Sequence, residues 1–228
     1  MVKEKKSASL FYAITFCVLH VLLVGCTDPE LDRAGAFAAA LVGSEDYSVA
    51  ILHEAAGDVV ELNVPDANWD ARFADEDIAS TCALAFYNQL PNPGEVSFIR
   101  MVIEKNGNIL KRTFSDDELK LADRCIDRVT DYFQWHPRMG VDSIRPLVDI
   151  RFFPDSSLAK MSSEISARDV QDNAFKRAEY IGFQMDTIAN ISVLKLKLVA
   201  LYKQSRQRFD AFVGTESERL VLVVPSDQ

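Results

Sequence analysis

The chain is poor in the residues that carry most enzyme chemistry. It holds three histidines and four cysteines in 228 residues, and none of them stands with Asp or Glu at the spacing of a zinc site. No metal and no cofactor are expected. Nine glycines are present, and the segment Glu104-Lys105-Asn106-Gly107-Asn108 has a single one, enough for a turn but not for a phosphate loop. There is no Gly-x-Ser-x-Gly elbow. Positive charge is in deficit as well, 25 Lys and Arg against 34 Asp and Glu for a net of −9, which argues against a nucleic-acid partner. A polytopic membrane protein is excluded because long apolar sequence is confined to the start of the chain. With 48% hydrophobic and 26% charged residues, what is left is ordinary globular chemistry for one or two domains.

What is present begins with an export pattern. Lys3, Lys5 and Lys6 precede an apolar stretch over residues 10–24, followed by Leu23-Val24-Gly25-Cys26. Charge, short apolar core and small residue at the cut are the parts of a secretory signal, and the end resembles a bacterial lipobox. Residues 1–25 are therefore read as a signal peptide and Cys26 as the lipid-carrying N-terminus. Thr27 in place of Asp points, by analogy with proteobacterial sorting, to the outer membrane and a protein facing the periplasm. Removing residues 1–25 takes out three lysines and one glutamate and moves the net charge from −9 to −11. Such a chain is not drawn to anionic headgroups, so the lipid must do the anchoring. Cys17 leaves with the signal, and Cys82 and Cys125 remain in a compartment that permits disulfides.

The rest divides into three stretches. Residues 26–46 read as a tether with an alanine-rich patch of helical tendency at 34–41. In 47–154, two short β-rich runs flank Ala55-Ala56-Gly57-Asp58 as a hairpin, and helical spacing from 70 to 90 stops at Pro91-Asn92-Pro93-Gly94. Residues 96–103 and 109–114 are strands about Asn106-Gly107, the pair that a type I′ turn demands. Ser115-Asp116-Asp117-Glu118 is a capping box that also explains its three acids. It opens a helix burying Leu119, Ala122, Cys125, Ile126, Val129 and Phe133, and residues 147–153 form a strand closed by Pro154. Residues 155–228 read as a helical hairpin extension, with Ile188, Ile191, Leu194, Leu198, Leu201, Phe209 and Phe212 on one stripe and 220–224 as a possible last strand. This stretch has ten basic and ten acidic groups, so the whole excess of −11 lies before Asp155. Its local run of +5 between Lys176 and Arg208 is expected to meet the acidic part of the same chain, an anionic partner being the alternative.

Residues 78–153 resemble the C-terminal domain of the AgmX/PglI family, a TonB-C-terminal-like module of envelope proteins. The resemblance rests on a helix with Cys82 and Phe86 or Tyr87, Pro93-Gly94 leading into Phe98-Ile99-Arg100-Met101-Val102-Ile103, Gly107 at the turn, and Cys125 in the next helix. Where the family writes Trp-x-Phe-Pro, this chain has Phe133-Gln134-Trp135-His136-Pro137. The resemblance implies an α+β fold, a small antiparallel sheet packed by helices, here with the helical C-terminal extension. It favours a disulfide between Cys82 and Cys125, closing a loop of about 44 residues worth about 4 kcal/mol in the chain-entropy model. Two buried, inert thiols are the alternative. His53 and His136 read as surface or strand-end residues. By analogy with TonB-like domains, the expected function is a lipid-anchored periplasmic adaptor that binds an envelope protein through a sheet edge. The alternatives are a structural or assembly lipoprotein acting through its helical tail and, less favoured, a hydrolase of envelope polymers. No enzyme is expected, because no paired acid and base or activated nucleophile can be assembled.

Overall fold

The computed structural model describes residues 28–69 and 74–226. The signal segment and Cys26 lie outside them. Among the described residues the fold is α+β, with two four-stranded sheets and helices between them.

Within the stretch read as a tether, the alanine-rich patch is part of helix α1, Pro29–Leu41. Asp28 caps it by accepting a hydrogen bond from the Glu30 N–H (2.9 Å), and Pro29 presets the first turn. Ala34, Ala38 and Ala39 are fully buried where α1 packs on the next helix. An alanine face lets two helix axes come close, which is why this patch belongs to the core.

The first sheet runs β1 (Ser48–Glu54), β2 (Gly57–Val64), β3 (Phe98–Lys105) and β4 (Asn108–Ser115) in that spatial order. Both expected hairpins are present, and the second has Asn106 and Gly107 at φ 53° and 78°, the left-handed pair of a type I′ turn. The sheet is mixed rather than antiparallel, because β2 and β3 pair in parallel. A parallel pair needs a long crossover, and α2, Asp75–Tyr87, provides it. From Asp77 to Tyr87 this helix is buried at every position except the half-buried Ala85. A helix buried around its circumference must be covered on several sides. It lies against β3 and β4, against α1, and against the second sheet through β5. The helix α3, Asp116–Gln134, carries the full capping box, Ser115 Oγ accepting from the Glu118 N–H and Glu118 from the Ser115 N–H. It buries Leu119, Ala122, Cys125 and Val129.

Residues 147–153 do not form a strand. Val148 makes one parallel bridge to Leu220, and the chain then turns, with the Phe152 and Phe153 amides donating to the Asp149 carbonyl. Asp149 also accepts from the Arg151 amide and guanidinium, a local side-chain turn that competes with a ladder. The short helix α4, Val141–Ile144, precedes it.

The helical hairpin expected for 155–228 is largely a sheet. Only α5, Asp155–Val170, is helical. Then β5 (Phe175–Ile188), β6 (Ile191–Tyr202), β7 (Arg206–Gly214) and β8 (Leu220–Pro225) form an antiparallel meander. The segment Leu194-Lys195-Leu196-Lys197-Leu198 alternates strictly, and Leu194, Leu196, Leu198 and Ala200 are all buried; period two, not 3.6, is the operative repeat. The turn at Ala189-Asn190 is left-handed at both residues, φ 48° and 63°, without the Asn-Gly signature that marks its counterpart.

One apolar core runs through α1 to α3 and both sheets. Phe114 of β4 meets Phe183 of β5 at 5.4 Å, and Phe133 of α3 meets Phe209 of β7 at 5.0 Å. A buried ion pair crosses the same boundary. Lys197 Nζ lies 2.7 Å from Asp77 Oδ1, with the two side chains 15% and 6% exposed. Gly182, paired with Lys197 in the ladder, leaves the space for it, since a Cβ there would sit 2.6 Å from the Asp77 Cβ.

Candidate functional site

Cys82 and Cys125 are separate buried thiols, so the expected disulfide is not formed. The two helices turn them to different neighbours. Cys82 Sγ points at the Ala38 carbonyl of α1, 3.7 Å away, while Cys125 sits in α3 beside Arg124, whose guanidinium pairs with Glu218 at 2.8 Å. Burial pushes the Cys82 thiol up to about 12, and burial together with the nearby Glu218 does the same for Cys125. Neither thiol is a nucleophile at neutral pH.

The other polar candidates resolve into local structure. His53, on the exposed edge strand β1, bonds Asp58 at 2.7 Å, and His136 Nδ1 accepts from the Arg138 amide at 3.0 Å. Asp116 bonds Lys120 (2.5 Å) and Tyr87 Oη (2.8 Å). Burial would raise its carboxyl, but those two partners outweigh it and hold it below the usual range. Among the described residues no His, Cys, Asp or Glu groups converge as a metal set, and no helix is long and apolar enough to cross a membrane. The basic run of the second sheet is paired at Lys197 with Asp77 and, within the sheet, at Lys195 with Asp210 and Arg177 with Glu179. A Ser-x-x-Lys spacing occurs at Ser157 and Lys160 on α5. A lysine acting as base must be desolvated, whereas the Lys160 side chain is 80% exposed and faces Glu164.

What stands out is the pair of strand edges that face each other. β4 ends the first sheet and β5 ends the second. Arg112, Thr113 and Phe114 on one side and residues 183–186 on the other line a groove of about 410 Å³ between them. The hairpin geometry tells which backbone groups point into it. A two-residue I′ turn is closed by a hydrogen-bonded pair, after which bonded and non-bonded pairs alternate. In β4 the closing residue is Asn108, so Ile109, Lys111, Thr113 and Ser115 aim N–H and C=O outward. The Ser115 amide does so, donating to the Glu118 carboxylate at 2.8 Å. In β5 the closing residue is Ile188, so Thr187, Met185 and Phe183 face out. The Phe183 amide accordingly donates to Ser80 Oγ (2.9 Å) and the Thr187 amide to Asp186 Oδ1 (2.7 Å). Among the described residues, no hydrogen bond reaches the outward groups of Ile109, Lys111, Thr113 or Met185. Ile109 and Met185 are also exposed large apolar side chains.

No family model, curated protein or solved structure matches the chain. The β4 half of this groove was legible in the sequence from Asn106-Gly107. The β5 half was hidden, because residues 175–188 carry bulges at Phe175/Arg177 and Tyr180/Gly182 that interrupt the alternation a strand normally shows.

Proposed function

We propose that this is a lipid-anchored adaptor of the bacterial envelope, attached to the outer membrane through Cys26 and facing the periplasm, that captures an extended segment of a partner protein as an added strand. The observation that carries the reading is the row of outward, unpaired backbone groups at Ile109, Lys111 and Thr113 beside the second open edge at Met185. An exposed edge is a template for another strand unless it is blocked, and main-chain hydrogen bonds then supply affinity. The resemblance of residues 78–153 to TonB-C-terminal-like modules supports the same mode by analogy. The fold gives no support to the alternative of a docking helical tail, since most of that tail is sheet and shares the core. No catalytic role is part of the proposal.

The test uses a proline that the edge tolerates. The Lys111 N–H faces away from β3, so Lys111→Pro removes an outward donor without touching the ladder. Lipidated protein is extracted from the envelope, and the proteins that co-purify with wild type and with Lys111→Pro are compared. The variant is expected to keep its circular dichroism and lose at least tenfold of the captured partner. Equal capture by both would remove strand addition at β4. The same fractions test the anchor, because wild-type protein should resist a high-salt wash of the membranes. Recovery in the soluble periplasm would exclude the lipid.

A further inference from the structure

A concavity larger than the edge groove lies elsewhere, between α5, the C-terminal end of α3 and the start of β5. It encloses about 770 Å³, within the range of small-molecule sites. Its floor is aromatic. Tyr132, Phe133, Trp135, Phe175, Tyr202 and Phe209 all line it, with Phe133 stacked on Phe175 at 5.9 Å and tilted against Phe209 at 5.0 Å. Its other wall is one face of α5, which brings in Met161 and Ile165 with Lys160 and Arg168 at helical spacing. Among the described side chains of this helix, only Leu158 is fully buried. Instead of closing down on the sheet as a core helix would, α5 stands over the cleft.

The charge in the cleft runs against that of the chain. The lining holds three cations, Lys160, Arg168 and Lys176, and one carboxylate, Glu164, which already faces Lys160 at 4.0 Å. The protein as a whole is at −9. Arg168 is placed by Tyr202. Its guanidinium lies over the ring at 4.7 Å from the centroid and donates from Nη1 to Tyr202 Oη at 3.0 Å. These contacts leave guanidinium N–H groups over, and no carboxylate is bonded to Arg168 among the described residues. A guanidinium is built for a planar carboxylate, and stacked rings offer an apolar chain contact area without asking it for hydrogen bonds.

We infer that this cleft binds a free, single-chain fatty carboxylate, with its head on Arg168 and its tail along the rings of Phe133, Phe175 and Phe209. The site is separate from the β4 edge and does not depend on strand capture.

The experiment uses the full chain in phosphatidylcholine nanodiscs and a dodecanoic acid bearing a terminal diazirine, followed by photolysis and mass mapping of the labelled peptides. Labelling should concentrate on α5, the end of α3 and the start of β5. Unlabelled dodecanoate should compete for it, while dodecyltrimethylammonium, with the same tail and opposite charge, should not. Arg168→Gln should lower labelling at least fivefold and Arg168→Lys should recover part of it. Met161→Trp should fill the cleft and abolish labelling with Arg168 intact. Thermal melts of each variant confirm that it is folded. Scattered labelling, equal competition by the cationic amphiphile, or wild-type labelling in Arg168→Gln or Met161→Trp would each overturn the assignment. So would binding seen only with anionic diacyl lipid in the disc and not with dodecanoate.

Discussion

The two sheets have four strands each and arrive at them by different routes. The first is mixed, with a parallel β2–β3 pair that closes only after the chain has passed through α2. The second is a meander in which every strand pairs with its sequence neighbour. Loop closure is costlier for the first, yet its local signals are the stronger ones, with Asn106-Gly107 and a complete capping box. The charge divides in the same place. All of the acidic excess lies before Asp155, whereas residues 155–228 are balanced at ten and ten. Two regions so unlike in charge and connectivity suggest separate domains, but they share one core. Charge and topology thus divide the chain at a place that the apolar core crosses.

The most severe way to break that comparison is to end the chain at Pro154. Loss of the second sheet would bare α2, α3 and Phe114 to water, at roughly 25 cal/mol for each Å² of apolar surface. The remainder is expected to lose near-ultraviolet circular dichroism and cooperative urea unfolding. A truncated chain that still unfolds in one sharp transition would establish two domains after all.

A smaller effect is expected at the ion pair between the layers. Lys197→Met takes from Asp77, 6% exposed, its buried cationic partner, which should cost about 3 kcal/mol. Asp77→Leu together with Lys197→Met removes both charges and should recover most of that loss, as urea midpoints would report. If the double variant is as unstable as the single one, packing around Gly182 rather than charge joins the layers.

The smallest perturbation sharpens the comparison chemically. With both thiols pushed up to about 12, the thiolate fraction at pH 8 is negligible in the folded protein. Iodoacetamide should therefore modify neither Cys82 nor Cys125 under native conditions. In denaturant it should modify both without added reductant, read as two mass additions. Modification that requires reductant would restore the disulfide.

Much of the first sheet was legible before any coordinates. The hairpins about Ala55–Gly57 and Asn106–Gly107, the stop at Pro91 and the box at Ser115 rest on φ preferences and capping bonds that involve residues within a few positions of one another. The second sheet was misread because Leu194, Leu198 and Leu201 satisfy a helical stripe while Leu194, Leu196 and Leu198 satisfy a strand, and only partners from β5 and β7 choose between them. The fate of the cysteine pair shows the same limit. Both lie on apolar stripes, as the spacing required, but which neighbour each stripe meets depends on how α1, α2 and α3 pack.

By itself the sequence determined the local events, the turns, caps and strand runs whose energetics are settled among near neighbours in the chain, along with the acidic balance. The parallel pairing of β2 with β3, the recruitment of the alanine-rich stretch into the core, the separation of the two thiols, the facing edges of β4 and β5 and the aromatic cleft under α5 were decided by tertiary structure. Each joins residues far apart in sequence, and burial against a partner supplies a free energy that no local propensity contains.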